Sequence, residues 1–139
     1  MYDQPSLIDL LDAARAHLEA VVAPLLKDTE QRKLYYQTLV AVNVLRIAGR
    51  ELTMSGDHIQ AEWARLNYLQ QSDKPLPIDP TAARADLAER SRRLCMQIND
   101  GEFDQMPQKA ALFEHLLATT MDQLQVANLR FLHELALAH

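Results

Sequence analysis

The fold is decided by residues 36–54, which read YQTLVAVNVLRIAGRELTM and are apolar on nearly every side. With about 100° of rotation per residue, Ala41 and Leu45 fall on one face of a helix, and Val40 and Ile47 fall on the opposite face. A helix that is apolar all round is normally enclosed by other helices. The stretch therefore predicts a long central helix, buried inside a helical bundle.

Polar side chains interrupt this apolar helix at Tyr36, Asn43, Arg46 and Arg50. Asn43 and Arg50 are seven residues apart, which stacks them along one face, and Arg46 lies beside them. Buried polar groups need partners. In one interpretation the partners are structural, with Arg50 paired to a carboxylate of another helix and Asn43 bonded to a neighbouring backbone. In the other, these residues line a polar pocket for an anionic head group. The structural interpretation is favoured, because nothing else in the sequence converges on a pocket.

The first helix is predicted to begin at Ser6, which forms a capping pair with Asp9. Pro24 should kink or end it, because the proline ring clashes with the preceding turn. A second helix is predicted over residues 28–54, stopped by Ser55 and Gly56. The seam of the first helix alternates steps of four and three residues, which is typical of a bundle: Leu7, Leu11, Ala14, Leu18, Val21 and Leu25.

Asp57 is predicted to cap a third helix whose inner face carries Trp63 and Leu66. Residues 72–80 contain three prolines and are expected to form an extended connection. Asp79 caps a fourth helix that ends at Gly101. A fifth helix opens at Pro107, and residues 129–138 form a short terminal helix after Asn128. The inner stripe predicted for the fifth helix is Phe113, Leu116, Leu117, Thr120, Leu124 and Ala127.

Together these elements predict an all-α fold: a single antiparallel bundle of five to six helices around a long central helix, as one domain over residues 1–139. The net charge of −5 argues against nucleic-acid binding. No stretch has the length of a membrane span or the pattern of a secretory signal. The single cysteine, Cys95, is expected to be buried and inert, and fits a reducing, cytoplasmic location.

Metal and catalytic motifs are absent from the sequence. No histidine follows a glutamate at the Glu-x-x-His spacing of di-iron bundles. His58 with Glu62, and His115 with Asp122, share helical faces, but either pair supplies too few ligands for a site. With three glycines the chain has little material for a phosphate loop or a dinucleotide fingerprint. The sequence therefore predicts no metal, no cofactor and no catalytic residue.

A local concentration of positive charge could hold a phosphate or a carboxylate: Arg84, Arg90, Arg92 and Arg93. However, Asp86 precedes Arg90 by four residues and Glu89 precedes Arg93 by four, the favourable arrangement for ion pairs along a helix surface. The favoured interpretation is a solvated face held by such pairs.

Short motifs along most of the chain, from residue 4 to 132, carry a family resemblance: Pro5 with Leu10-Leu11, Asn43-Val44-Leu45, Arg50-Glu51-Leu52, Gly101-Glu102-Phe103-Asp104, Leu124, Val126-Ala127-Asn128 and Arg130-Phe131. The chain resembles an uncharacterised bacterial family classed as a domain of unknown function. Genes of that family neighbour those of acyl-CoA dehydrogenases and of kinases similar to aminoglycoside phosphotransferases. The resemblance implies a link to acyl-CoA metabolism and supplies no catalytic residues. The chain departs from the family at Gln123, where members carry lysine, and at Leu129, where they carry proline.

The function that these observations favour is a non-enzymatic accessory or interaction protein. Its implied partner is an acyl-CoA dehydrogenase or a phosphotransferase-like kinase, and the seam of the first helix makes a homodimer plausible. The alternative is a small-molecule binding protein or weak enzyme, with an anionic or acyl-CoA-like ligand held near Tyr36, Asn43, Arg46 and Arg50.

Overall fold

The computed structural model describes residues 4–138, and every regular element among them is helical. The all-α prediction is confirmed. The described chain forms two compact units that meet in sequence between Ser55 and Gly56, and the single-domain assignment stays a prediction. The elements are α1 (Leu7–His17), a π-helical turn (Leu18–Val22), α2 (Ala23–Lys27), α3 (Arg32–Leu69), α4 (Pro80–Asn99), α5 (Gln108–Ala127) and α6 (Leu129–Leu137).

The first unit begins with the predicted capping box. The Asp9 backbone N–H donates to Ser6 Oγ at 3.1 Å, and the Ser6 backbone N–H donates to Asp9 Oδ2 at 3.0 Å. Pro24 does not end the helix, which continues through α2 to Lys27. The Ala23 N–H bonds to the carbonyl of Leu18, five residues back. This π turn widens the backbone immediately before the proline, so that the chain stays helical through it.

The prediction that residues 36–54 are enclosed on all sides is wrong. Tyr36 is 64% exposed, Val40 62% and Val44 56%, and these side chains form an outward apolar stripe on α3. Among the described residues up to Ser55, only Ala23 and Val42 are buried. An apolar composition on every side predicts that a helix packs against other structure. It does not predict that helices of the same chain provide those contacts.

The predicted break at Ser55 and Gly56 is also wrong, because α3 continues without interruption for 38 residues. A glycine inside a helix costs only about 1 kcal/mol relative to alanine. The helical residues on both sides outweigh that cost. The dipeptide does coincide with the sequence boundary between the two units.

Replacing Gly56 with alanine should therefore stabilise the protein by about 0.5–1 kcal/mol, because alanine loses less conformational entropy when it enters a helix. A Cβ at this position meets no atom within 4 Å. Urea unfolding followed by circular dichroism measures the change. The matched control is Gly101→Ala, which should destabilise, because Gly101 has φ +81° and its Cβ would lie 3.0 Å from Asp104 Oδ2. A destabilised Gly56→Ala would show that the helix breaks there.

The second unit has its core where α3 meets α4 and the loop that follows α4. Its buried side chains are Trp63, Leu66, Leu87, Leu94 and Phe103. Trp63 and Leu66 are thus inward, as predicted. The cap of α4 is also as predicted, with the Ala82 N–H donating to Asp79 Oδ2 at 2.9 Å. Gly101 ends α4 in the left-handed region that favours glycine.

The stripe predicted to be the inner face of α5 lies largely outside. Phe113 is 66% exposed, Leu116 46% and Leu117 50%. The inward positions are Leu112, His115, Thr119, Asp122 and Val126. Both series follow the three-and-four spacing of a helix face. Polar partners on α3 hold the less apolar series inside, so the more apolar one faces outward.

Asn128 separates α5 from α6, as the sequence predicted. Its backbone leaves the helical region at φ −148° and ψ 66°. Its side chain then caps α6, with Oδ1 accepting from the Phe131 N–H at 3.2 Å. The terminal helix is therefore a separate element with its own start.

Candidate functional site

The predicted polar residues of α3 are only partly brought together. Arg46 and Arg50 line a groove of about 400 Å³ in the first unit, together with Arg15 and other residues of α1. Tyr36 and Asn43 are exposed and do not line this groove. The structure therefore brings Arg46 and Arg50 together in one groove, whereas Tyr36 and Asn43 lie on the exposed side of α3.

Glu19, which belongs to the π turn, bridges Arg15 and Arg46, two of the three arginines of this groove. Its Oε2 accepts from Arg15 NH1 and its Oε1 accepts from Arg46 NH2, each at 2.5 Å. The hydrogen bond from Arg46 is the main reason why the pKa of Glu19 lies below its usual range. Arg46 thus has a carboxylate from another helical segment, the arrangement that the structural interpretation expected for Arg50. Because Glu19 already compensates the charge of Arg46, the contacts of this groove do not favour an anionic ligand. A ligand-binding role for the groove stays a prediction.

A layer of polar side chains joins α3 to α5 in the second unit. Arg65 NH2 donates to Thr119 Oγ1 at 3.1 Å and lies 3.4 Å from Asp122 Oδ2. His58 Nε2 lies 3.0 Å from Gln125 Oε1 and 3.7 Å from Asp122 Oδ1. The sequence paired His58 with Glu62 along one helix and missed its contact with Asp122 across two helices. The sequence did contain a signal for this contact. Polar residues of α5 recur at steps of three and four residues, which places them on one face of the helix.

Burial changes the titration of two groups in this layer. The pKa of Glu62 is raised, chiefly by burial and further by the charge of Asp122, while Arg65 acts in the opposite direction. The pKa of His115 is lowered, chiefly by burial and further by Arg65. His115 is only 4% exposed, and its Nδ1 has no hydrogen-bond partner among the described residues. The imidazole is therefore neutral at pH 7.

The lowered pKa of His115 predicts a loss of stability in mild acid. The unfolded histidine titrates near its ordinary value of about 6.5, whereas the folded one binds its proton less readily. The unfolded state then holds more protons, so stability falls as the pH drops below that value. A His115→Gln variant should lose less stability than the wild type between pH 7 and the folded pKa, measured by urea unfolding at each pH.

Glu62 is present in both proteins, so its own contribution cancels in this comparison. His133→Gln is the matched control, because His133 is exposed on α6; it should keep the wild-type pH dependence. Identical pH profiles for the wild type and His115→Gln would contradict the assignment.

Chemically, the polar layer works as a hydrogen-bonded part of the core. Within residues 4–138 no group of three or more histidine, cysteine, aspartate or glutamate side chains is arranged to hold a metal. Cys95 is exposed on α4, which corrects the prediction that it is buried. Cys95 does not belong to the polar layer, and the layer contains no cysteine. The layer fixes the orientation of α5 and, with it, the surface that α5 presents.

That surface, called here the α5 outer face, consists of Phe113, Leu116, Leu117, Thr120 and Met121. Its large apolar members are between 41% and 66% exposed. No charged residue lies between Glu114 and Asp122, apart from the neutral, inward His115. The outer face is thus an uncharged apolar strip along one side of the helix.

Residues 24–131 match the family described as a domain of unknown function, DUF6285. The chain belongs to this family. No curated protein and no solved structure matches it. The DUF6285 region contains α3, α4 and α5 completely, and therefore both the polar layer and the α5 outer face. The prediction of a domain-of-unknown-function family is confirmed.

Across residues 4–138, no helix of the DUF6285 protein combines the length and the apolar character needed to cross a bilayer. This includes the 38-residue α3, whose uncharged run between Lys33 and Arg46 is twelve residues long, shorter than the roughly 20 residues that a membrane span needs.

Proposed function

We propose that this DUF6285 protein is a non-enzymatic interaction protein that associates through the α5 outer face. The observation that carries the proposal is the reversed orientation of α5, which buries His115 and leaves Phe113 66% exposed. Large contiguous apolar surfaces on a folded protein mark interaction sites. Hydrogen bonds from α3 hold the helix in this orientation, so the apolar side is presented continuously.

The partner that we propose for the α5 outer face is a second copy of the same chain. An uncharged strip cannot select its partner by charge, so its complement must be apolar and uncharged as well. The α5 outer face of another molecule meets that requirement, and a two-fold axis places the same patch on both sides. Because these side chains are only 41–66% exposed in the single chain, covering the remainder of each contributes about 1 kcal/mol, roughly half the value for a fully exposed side chain.

A stable interface takes roughly 800 Å² from each partner, which is more than one face of a single helix offers. The terminal helix extends the apolar surface in the same unit. α6 contacts α5, and its Phe131 is 43% exposed and its Leu135 40% exposed. The proposed interface therefore includes both helices.

The biological setting is proposed from the family resemblance. The associated protein serves as an accessory to an enzyme of the acyl-CoA dehydrogenase or phosphotransferase-like kinase type, in the bacterial cytoplasm. This proposal rests on the gene neighbourhood of the family rather than on any residue of the chain. Enrichment of such an enzyme with the tagged protein, purified from its native host, tests it.

The oligomeric state tests the association directly. Sedimentation equilibrium should return twice the chain mass of 15.8 kDa at micromolar concentrations, with reversible dissociation on dilution. A mass of one chain at every concentration would overturn the proposal.

A further inference from the structure

Arg90 does not lie on a solvated face, as its sequence pattern suggests. The residue is only 6% exposed, and its guanidinium carbon lies 4.5 Å from the centre of the Trp63 ring. Its Nε donates to Gln70 Oε1 at 2.9 Å. Its terminal nitrogens, NH1 and NH2, have no hydrogen-bond partner among the described residues. Burying a guanidinium whose terminal N–H groups donate no hydrogen bond costs free energy, so this arrangement needs an explanation.

The carboxylates expected to pair with this side of α4 are engaged elsewhere. Asp86 lies 3.5 Å from Lys74, and Glu89 lies 2.7 Å from Arg92. Neither Arg90 nor Arg93 forms an ion pair with any residue that the structure describes. The sequence placed Asp86 with Arg90 and Glu89 with Arg93, and both expectations are wrong. The result is a local excess of positive charge.

Arg90 and Arg93 line a common pocket of about 140 Å³ in the second unit. Lys74, Ser72 and Gln70 also line it, and so do the Asp86 and Glu89 carboxylates that are held by other cations. Drug-sized sites have volumes of roughly 300–1,000 Å³, so this pocket admits only a small group. Its polar lining and its free cations favour an anion.

We propose that this pocket binds a small oxyanion, a phosphate or carboxylate group, between Arg90 and Arg93. Guanidinium groups match the oxygens of both anions in bidentate geometry. The Trp63 ring holds one face of the Arg90 guanidinium, so the donor positions are ordered before the anion arrives. The anion supplies the partners that NH1 and NH2 lack.

Lys74 lines the same pocket as Arg90, with its Nζ 5.9 Å from the centre of the Trp63 ring. The Lys74–Asp86 contact is long at 3.5 Å, and the two side chains are 52% and 40% exposed. Exposed pairs of this kind are weak, so the lysine can move aside or turn its ammonium group towards the anion. This site is independent of the α5 outer face, and the two proposals are tested separately.

Thermal unfolding with added inorganic phosphate tests the site, with chloride at equal ionic strength as the reference. The melting temperature of the wild-type protein should rise with the logarithm of the phosphate concentration once this exceeds the dissociation constant, reaching roughly 10 °C at a hundredfold excess. Arg93→Gln should abolish this rise. Arg84→Gln is the matched control: it removes the same charge from the same helix at an exposed position outside the pocket.

A parallel titration with acetate distinguishes the two anions. A rise in melting temperature with either anion, beyond that seen with chloride and lost in Arg93→Gln, supports the site and identifies its chemistry. Arg90→Met gives a second check, because methionine still packs on Trp63 but has no donor; this variant should fold and fail to respond. Equal responses of the wild type and Arg93→Gln, or no response beyond that to chloride, would overturn the proposal.

Discussion

Replacing Leu117 with lysine should convert the proposed dimer into monomers. Leu117 is 50% exposed in the single chain and lies in the middle of the α5 outer face. In a two-fold dimer the substitution occurs on both sides and places uncompensated ammonium groups in an apolar interface. Like charges brought together in an interface cost several kcal/mol. Because each 1.4 kcal/mol is a factor of ten, the dissociation constant should rise on the order of a hundredfold or more.

The fold itself should survive this substitution, because the Leu117 side chain packs mainly outside the core of its own chain. Sedimentation equilibrium measures the dissociation constant, and circular dichroism confirms that the helix content is unchanged. The matched control is Leu25→Lys, which introduces the same charge at a residue that is 72% exposed on α2. If Leu25→Lys dissociates the dimer and Leu117→Lys does not, the interface lies on the first unit and the α5 proposal is wrong.

Replacing Trp63 with alanine should give the largest loss of stability. Trp63 is 4% exposed and belongs to the buried cluster of the second unit. Truncating a buried tryptophan costs about 3–5 kcal/mol through lost burial and the remaining cavity. Its Nε1–H also donates to the Lys74 carbonyl at 2.7 Å. The total approaches the whole stability of a marginal protein, roughly 5–15 kcal/mol.

The same residue also supports Arg90 through a cation–π contact, which is worth about 2 kcal/mol when desolvated. Trp63→Phe separates these contributions, because phenylalanine keeps an aromatic face and loses the donor to the Lys74 carbonyl. That variant should lose about 1–3 kcal/mol. Urea unfolding of both variants provides the comparison. A loss in Trp63→Ala no larger than that in Trp63→Phe would contradict the position of Trp63 in the core.

The features predicted correctly from the sequence depend on neighbours within a few residues. The Ser6–Asp9 capping box, the Asp79 cap and the left-handed Gly101 all follow from hydrogen bonds or backbone angles inside one turn. Trp63 and Leu66 were also placed correctly, because a single apolar face on that part of α3 left one orientation for burial.

The candidate sites were predicted much less well. Asn43 was expected to be buried, either bonded to a neighbouring backbone or lining a polar pocket, and it lies exposed, since no other helix of the first unit covers that side of α3. Arg90 was expected in solvent and is buried, because its guanidinium packs on the Trp63 ring of α3, while Lys74 engages the Asp86 carboxylate expected to pair with it. Contacts of this kind join residues that are distant in sequence, and spacing along one helix carries no information about them.

The sequence by itself determined that this protein is helical and where most of its helices start and stop, because these properties depend on caps, prolines and helical periodicity within single segments. Tertiary structure alone decided which side of a helix faces inward where the helix has more than one candidate face. On α5 a polar and an apolar stripe have similar spacing. Hydrogen bonds from Arg65 to Thr119 and Asp122 hold the polar stripe against α3. That choice depends on a cation from another helix. It leaves Phe113 and Leu117 outside, on the face that we propose as the dimer interface.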